Sequence, residues 1–344
     1  MAVTIYDIAR RAEVSIATVS RVFNAHPRVA SSTRERVFEL AREMGYQPHV
    51  SARCLARQNS HIISAVVPMM TSYFFMEVIR GVQDRLDASD FDLLVYASRT
   101  LTKVDGQINR AVENGRAEGV LVCSMPLTEE RTAVLQESGT CTVLVDSFSE
   151  AFDSVSVDNQ LGGRIATDHL LDLGYKRIAF IAGHPDSRPV ADRYAGYLSA
   201  LAGRGITEDS ELVCFSDDAV QHGYTREAGF DSMQQLLALD EPPEAVFVAS
   251  DVQALGAMKA ARDAGLQLPE DISIVGFDDI STSAYVGLTT LRQPMYEMGK
   301  LATELLLRRI ENPTATPSHT IFAPRLVVRE TSSAGLEELE VGHA

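Results

Sequence analysis

The amino-terminal segment of this chain carries short polar side chains and an arginine that could contact a nucleic acid. Ser15, Thr18, Ser20 and Arg21 are expected to face outward from one short helix. A planar guanidinium matches the paired acceptors that guanine presents in the major groove, and hydroxyl groups suit phosphate oxygens. The pattern predicts either a DNA-reading helix or a generic helical bundle whose arginines face water.

Motifs for catalysis or metal binding are missing from the sequence. There is no G-x-G-x-x-G after a predicted strand, no phosphate-loop motif, no G-x-S-x-G and no H-E-x-x-H, and Gly203-Arg204-Gly205 lacks a third glycine and follows a helix. The eight histidines are dispersed, and the cysteines (Cys54, Cys123, Cys141, Cys214) lack C-x-x-C spacing. We therefore expect neither an enzyme nor a metal or cofactor site.

Three short helices are predicted to position the polar segment. Thr4 is expected to cap the first and Ser15 the second, which covers Ile16 to Phe23, and the box Ser32-x-x-Glu35 is expected to open the third. A helix, a tight turn, a second helix and a supporting helix make a helix-turn-helix arrangement. The residues spaced to form a small core between the first two helices are Ala9, Val14, Val19 and Val22.

Charge is divided unevenly along the chain. Residues 1–60 contain nine arginines and five carboxylates, a net +4, whereas the whole chain of 344 residues carries −16, so the remainder carries −20. A basic head on an acidic body is typical of a nucleic-acid-binding module joined to a soluble domain.

From His61 onward, β-branched runs alternate with helical patterns. This alternation predicts parallel sheets covered by helices on both faces, and the number of strands predicts two doubly wound subdomains. The helices include Asn159–Leu173, Gln221–Leu239 and Asp251–Ala264. The predicted strands are Ile62–Val67, Asp92–Ala97, Gly119–Cys123, Thr142–Val145, Arg177–Ala182, Ala245–Ala249 and Ile272–Gly276, with a last strand at Thr320–Val328.

The amino-terminal sequence resembles the LacI/GalR family of bacterial repressors. The resemblance is carried by V-T-I-Y-D-I-A-R-R-A-E-V-S-I-A-T-V-S-R-V-F-N (Val3–Asn24), by R-V-A-S-S-T-R-E-R-V, and by G-Y-Q-P-H-V-S-A-R-C-L-A-R (Gly45–Arg57), and it continues to about residue 330. It implies an all-α helix-turn-helix head and an α/β, two-lobed sensor of the periplasmic-binding-protein-like type I fold.

The resemblance also implies a hinge at Pro48–Arg57 that folds on the operator and enters the minor groove. Matching the family motif places Leu55 as an apolar wedge at the central base step. Ile16 and Ala17 fall where operator choice varies within the family. The residues expected to contact DNA are Thr4, Ser15, Ile16, Ala17, Thr18, Ser20, Arg21, Asn24, Ala52, Leu55 and Arg57.

In the sensor, the resemblance implies a ligand cleft at the carboxyl ends of the strands. Arg193 and Asp278 match family residues that hold ligand polar groups, and aromatic side chains after the first strand are expected to stack on a ring. The weaker matches, at the other loops of the cleft, are Ser124, Asp146, Asp158, Ser187 and Ser250. Arg193 in a structural ion pair, Asp278 as a turn cap, and Phe74, Phe75 and Tyr224 as core residues stay open as alternatives. The residues expected to contact the effector are Tyr73, Phe74, Ser124, Asp146, Ser187, Arg193, Tyr224, Ser250 and Asp278.

The resulting domain prediction is a head at 1–47, a hinge at 48–60, a sensor at 61–330 and a tail at 331–344. The first lobe is expected at about 61–159 and 291–322 and the second at about 160–290 and 323–330, with chain crossings near 159, 290 and 323. The short tail lacks a leucine-heptad segment, so we expect a homodimer on a pseudo-palindromic operator of double-stranded DNA.

We expect the protein to repress carbohydrate-utilisation genes and to be switched by a small molecule, most simply a sugar. A co-repressor of purine or phosphoprotein type is the alternative. The chain shows no membrane-spanning apolar run and no signal-peptide core, which favours a cytoplasmic regulator over an extracytoplasmic sugar-binding protein.

Overall fold

A computed structural model describes residues 3–23, 28–46, 60–97, 104–113, 116–216 and 223–332. The chain divides into two compact units, Met1–His61 and Ile62–Ala344. In the described part of the chain, no helix is both long and apolar enough to cross a membrane.

Within residues 3–23 and 28–46, the first unit contains three helices: α1 (Ile5–Ala12), α2 (Ile16–Phe23) and α3 (Ser31–Glu43). Their shared core contains Ala9, Val19 and Val22 as predicted, with Val14 partly buried against it. Ser15 caps α2 as expected, because its hydroxyl accepts the amide of Thr18 at 3.1 Å. These contacts fix which side of α2 faces outward.

Of the other two predicted caps in this unit, one is right and one is wrong. Thr4 caps α1 as expected, in a capping box with Asp7, whose carboxylate accepts the Thr4 amide at 3.0 Å. Helix α3 begins at Ser31, with Ala30 at the capping position and no side-chain cap. Ser32 therefore lies within the first turn, so the capping-box prediction started the helix two residues late.

The second unit alternates strands with helices. In chain order its first half contains β1 (Ile62–Val67), α4 (Tyr73–Leu86), β2 (Asp92–Ala97), α5 (Val104–Val112), β3 (Gly119–Cys123), α6 (Glu129–Glu137), β4 (Cys141–Val145), β5 (Asp153–Val157) and α7 (Asn159–Asp172). Its second half contains β6 (Ile178–Ala182), α8 (Arg188–Gly203), a 3-10 helix (Ser210–Leu212), β7 (Val213–Phe215), α9 (Arg226–Leu237), β8 (Ala245–Val248), α10 (Asp251–Asp263), β9 (Ser273–Asp278), α11 (Ser281–Tyr285), β10 (Thr289–Arg292), α12 (Met295–Glu311), β11 (His319–Phe322) and β12 (Arg325–Val327).

These elements form two lobes, each built on a six-stranded sheet. The first sheet has the order β11-β5-β4-β3-β1-β2 and the second β12-β10-β9-β8-β6-β7. All pairs are parallel except β10 with β12. The first seven predicted strands are present with ends within two residues, and β3, β6, β8 and β9 are buried throughout, as expected for strands covered on both faces.

The chain crosses between the lobes three times: after β5, after β10 and after β11. The second crossing follows Arg292, two residues later than predicted, because β10 stays paired with β9 through that residue. The predicted single strand Thr320–Val328 is wrong. Its first part, β11, joins the first sheet and its second part, β12, joins the second sheet, so the strand is divided at the crossing.

Helices α7 and α8 approach closely at two glycines. A Cβ on Gly163 would lie 2.1 Å from the carbonyl oxygen of Arg193, and one on Gly196 would lie 2.1 Å from that of Gln160. Only glycine permits this contact between the backbones. The close packing fixes the position of Arg193 relative to the start of α7.

Candidate functional site

The exposed side of α2 carries most of the residues predicted to contact DNA. Ser15, Ile16, Ala17 and Arg21 are exposed, whereas Val19 and Val22 on the opposite side are fully buried. Ile16 leaves 42% of its surface open to solvent. The face therefore offers hydroxyl groups, a guanidinium and small apolar groups together, which are the groups that read base edges.

Tyr6 is a further exposed residue of the first unit. It lies in the first turn of α1 with 62% of its surface exposed, one residue from the buried side of the helix. Thr4, the predicted contact nearby, is also exposed.

Four predicted DNA contacts cannot be placed. Asn24, Ala52, Leu55 and Arg57 lie outside the described residues, as do most of the predicted hinge and tail.

In the second unit, a cavity of about 440 Å³ lies between the two lobes. Its volume is in the range of small-molecule sites. All nine residues predicted to contact an effector line it: Tyr73, Phe74, Ser124, Asp146, Ser187, Arg193, Tyr224, Ser250 and Asp278. Asp158 does not line this cavity, because its carboxylate accepts the amide of Leu161 and caps α7.

Arg193 is the central cation of the cavity. Its side chain is 4% exposed, Nε donates to Oδ1 of Asn159 at 2.8 Å, and one terminal nitrogen donates to the carbonyl of Ala249 at 2.5 Å. Among the described residues, no carboxylate lies within 4.0 Å of its guanidinium, which argues against the structural ion pair. A buried guanidinium held by neutral partners keeps its charge available to a ligand.

Asp278 lies at the end of β9 and is also buried. Its Oδ1 accepts the side-chain amide of Gln293 at 2.6 Å, and its carboxylate accepts the backbone amide of Asp251. Burial raises the pKa of Asp278, while the nearby Arg193 acts in the opposite direction. The amides of the following turn go to Thr290 and Asp251, so the turn-cap alternative for Asp278 does not hold.

Ser124 and Asp146, which follow the neighbouring strands β3 and β4 of the first lobe, form a second polar pair that lines the cavity. The hydroxyl of Ser124 donates to Oδ2 of Asp146 at 2.7 Å. Burial raises the pKa of Asp146, and the hydrogen bond from Ser124 and the charge of Arg193 lower it. The two carboxylates, Asp146 and Asp278, thus flank one arginine and supply acceptors beside its donors.

Three cavity residues have left-handed backbone conformations. Ser124 has φ 46°, Asp146 φ 53° and Asp278 φ 122°, and each immediately ends or follows a buried strand. Such conformations are unfavourable for residues other than glycine and cluster at functional sites. The sequence gives no direct sign of this strain.

Aromatic side chains supply apolar surface to the cavity. Tyr73, Phe74 and Tyr224 line it, and the Tyr224 hydroxyl is hydrogen-bonded to Ser187. Burial raises the pKa of Tyr224. Phe75 is 7% exposed and packs edge-to-face on Phe74 with centroids 5.1 Å apart, so the core alternative is right for Phe75 although it also borders the cavity.

The sequence reasoning missed the residues that hold the charged groups in place. Asn159 and Gln293 are the hydrogen-bond partners of Arg193 and Asp278. Asp251 is fully buried and its carboxylate accepts from the amide of Ile280 at 3.0 Å and from the hydroxyls of Ser283 and Thr290 at 2.6 and 2.5 Å. No local motif identifies these residues, because their partners lie 15 to 39 positions away along the chain.

This arrangement can bind a polyhydroxyl molecule. A ligand hydroxyl both donates and accepts, so it can meet a carboxylate and a guanidinium at once, while ring faces cover its apolar side. No group of three or more His, Cys, Asp or Glu side chains that could hold a metal ion occurs in the described ranges.

Two family models match the chain. Residues 4–49 match "Bacterial regulatory proteins, lacI family", and residues 167–332 match "Periplasmic binding protein-like domain". Catabolite control protein A of Priestia megaterium is 33% identical over 339 residues, covering 96% of this chain and 100% of that protein.

Two solved structures are similar to this chain over nearly its whole length. The Lac repressor dimer bound to operator and the anti-inducer ONPF superposes with a TM-score of 0.81 at 28% identity, covering 97% of this chain and 100% of that one. The complex of the transcriptional regulator CelR with cellobiose gives a TM-score of 0.72 at 29% identity, covering 96% and 99%.

Proposed function

The chain belongs to the LacI family of bacterial regulatory proteins and is a DNA-binding transcriptional regulator, not an enzyme, and we propose that a neutral sugar is the effector that switches it. The observation that carries the proposal is the cavity in which Arg193 lies between Asp146 and Asp278 beside aromatic rings. The cellobiose complex of a similar regulator supports a carbohydrate ligand.

A neutral ligand fits the charges of this cavity better than a phosphorylated one. Arg193 and Arg226 are its cationic lining residues, and Asp146, Asp278 and Glu227 are its carboxylates. With three carboxylates against two arginines, the lining offers a phosphate dianion no net attraction. A purine or phosphoprotein co-repressor, the alternative, is not favoured by the comparisons or by this lining.

For the head, we propose that α2 lies in the major groove with Arg21 contacting a guanine. Ile16 and Ala17 are suited to thymine methyl groups, and Ser15 and Thr18 to phosphates. The hinge at Pro48–Arg57, with Leu55 as a minor-groove wedge, completes the interface in this proposal. The regulator acts as a homodimer in the cytoplasm, where the two heads bind a pseudo-palindromic operator.

The switch follows from the two-lobed sensor. A ligand that contacts Asp146 from one lobe and Arg193 and Asp278 from the other favours the lobe arrangement that brings these groups together. Operator affinity then changes by the difference in free energy of ligand binding between the two arrangements. Repression of carbohydrate-utilisation genes is the role we propose for this switch.

A thermal-shift screen of the full chain tests the effector class. Neutral sugars, sugar phosphates and purines are added separately, since a ligand at 100 times its Kd stabilises the folded state by about 2.7 kcal/mol. We expect a neutral sugar to raise Tm. If purines or sugar phosphates raise it and no neutral sugar does, the proposal is wrong.

A further inference from the structure

A second recess adjoins the effector cavity. Its volume is about 380 Å³, similar to that of the cavity, and Asp146 and Pro189 line both. It lies beside β11, the edge strand of the first sheet. The two spaces therefore share the side chains of Asp146 and Pro189 as a common boundary.

Asp146 lies where the two spaces meet. Its carboxylate is hydrogen-bonded to Ser124, which lines the cavity, and to Asn159, which lines the recess. Asn159 also accepts from Arg193. The polar groups of the cavity and the recess thus belong to one connected network.

The recess has an apolar wall on the first lobe. Phe148 and Ile321 leave 44% and 65% of their surfaces exposed. The Phe148 ring packs against His319, with centroids 4.8 Å apart, and His319 is hydrogen-bonded to Ser154 at 2.9 Å. The ring is therefore supported on one side and open on another, which is the geometry that stacks on a sugar face.

The opposite wall, on the second lobe, is polar. Arg188 and Asp192 lie one turn apart on α8, with Nε of Arg188 3.5 Å from Oδ2 of Asp192. Gln160, at the start of α7, is exposed and lines the same recess. Helix α8 also carries Arg193, five residues after Arg188. One helix thus presents donors and acceptors to both spaces.

We propose that the effector is a saccharide of at least two rings, with one ring in the cavity and the next in the recess, stacked on Phe148 and hydrogen-bonded by Asp192 and Arg188. This inference rests on the proposed sugar-binding function and specifies the ligand of the same site. The recess combines an aromatic wall with a carboxylate and a guanidinium, which are the same kinds of group that the cavity presents around Arg193.

The test compares ligand length by isothermal titration calorimetry on the full chain. Glucose, galactose and ribose are titrated beside cellobiose, maltose and lactose, and the ratio of disaccharide to monosaccharide affinity is measured. We expect at least one disaccharide to bind tenfold or more tightly than its own monosaccharide. Phe148→Ala should reduce that ratio about three- to tenfold, and Asp192→Asn should also reduce it.

Leu173→Ala is the matched control, since Leu173 is 45% exposed and lies at the far end of α7, about 20 Å from its start. This variant should leave the ratio unchanged. The two-ring inference is wrong if a disaccharide and its monosaccharide bind with equal affinity. It is also wrong if Phe148→Ala reduces the affinity for both sugars equally. Either result would leave the proposed sugar binding intact. Failure of every sugar to bind would overturn both proposals.

Discussion

The guanidinium of Arg193 lies over the ring of Phe277, with Cζ 3.6 Å from the ring centroid. Phe277 is fully buried in β9, and the next residue along the strand is Asp278. The guanidinium therefore packs on the face of the Phe277 ring. Strand β9 ends at Asp278, whose carboxylate lines the same cavity as Arg193. The side chain of Asn159 and the carbonyl of Ala249 accept hydrogen bonds from the guanidinium, so its plane is fixed before any ligand binds.

Removing this cation should abolish the response to effector. In Arg193→Ala the ligand loses charge-assisted hydrogen bonds, for which we expect a loss of about 1.5–3 kcal/mol of binding free energy, measured by calorimetry with the sugar that raises Tm. Arg164→Ala, which removes an exposed arginine of α7 paired with Asp168, is the control and should bind normally. Unaltered sugar affinity in Arg193→Ala would remove this residue from the site.

Three charged residues of the cavity, Asp146, Arg193 and Asp278, were predicted from the sequence, but Arg226, Glu227 and the residues that hold the charged groups were not. Arg193 and Asp278 occupy recognisable motifs, whereas Asn159, Phe277 and Gln293 act through contacts that form only when distant segments meet. The buried strand β3 was predicted to the residue, because a strand covered on both faces is a nearly continuous apolar run. The division of residues 320–328 between two sheets was missed, because local pattern does not record which sheet a strand joins.

Arg21 should contribute to base selectivity and not merely to DNA affinity. We expect Arg21→Ala to cost about 1–3 kcal/mol on the selected sequence and to relax preference at one base pair, because the two-pronged guanine contact is lost. Selection from a randomised duplex library, followed by gel-shift titration, measures this. Arg42→Ala, which removes an exposed arginine from the last turn of α3, should change affinity equally for all sequences. An unchanged base preference in Arg21→Ala would show that this arginine does not read sequence.

The buried carboxyl of Asp251 should make folding stability depend on pH. Burial, and then repulsion from Asp278, raises the pKa of Asp251 above its ordinary value of 3.8. The folded state then holds a proton that the unfolded chain releases, so this contribution to the free energy of unfolding decreases as pH rises above about 4. Asp251→Asn removes the titrating group.

We therefore expect Tm of the parent protein to fall more steeply between pH 4 and pH 8 than Tm of Asp251→Asn. Differential scanning calorimetry across this range measures both slopes. Asp186→Asn, which changes a carboxyl whose side chain is 89% exposed, should keep the parent slope. Parallel curves for the parent and Asp251→Asn would contradict the assignment.

The most direct measurement is the binding of the full chain to DNA selected from a random library, followed by fluorescence anisotropy with and without the sugar found in the thermal screen. We expect sequence-selective binding that weakens with salt and changes at least tenfold when the sugar is added. In Arg193→Ala, DNA binding should persist and the change should disappear. Selective binding that no sugar alters, or DNA binding without sequence preference, would contradict the account.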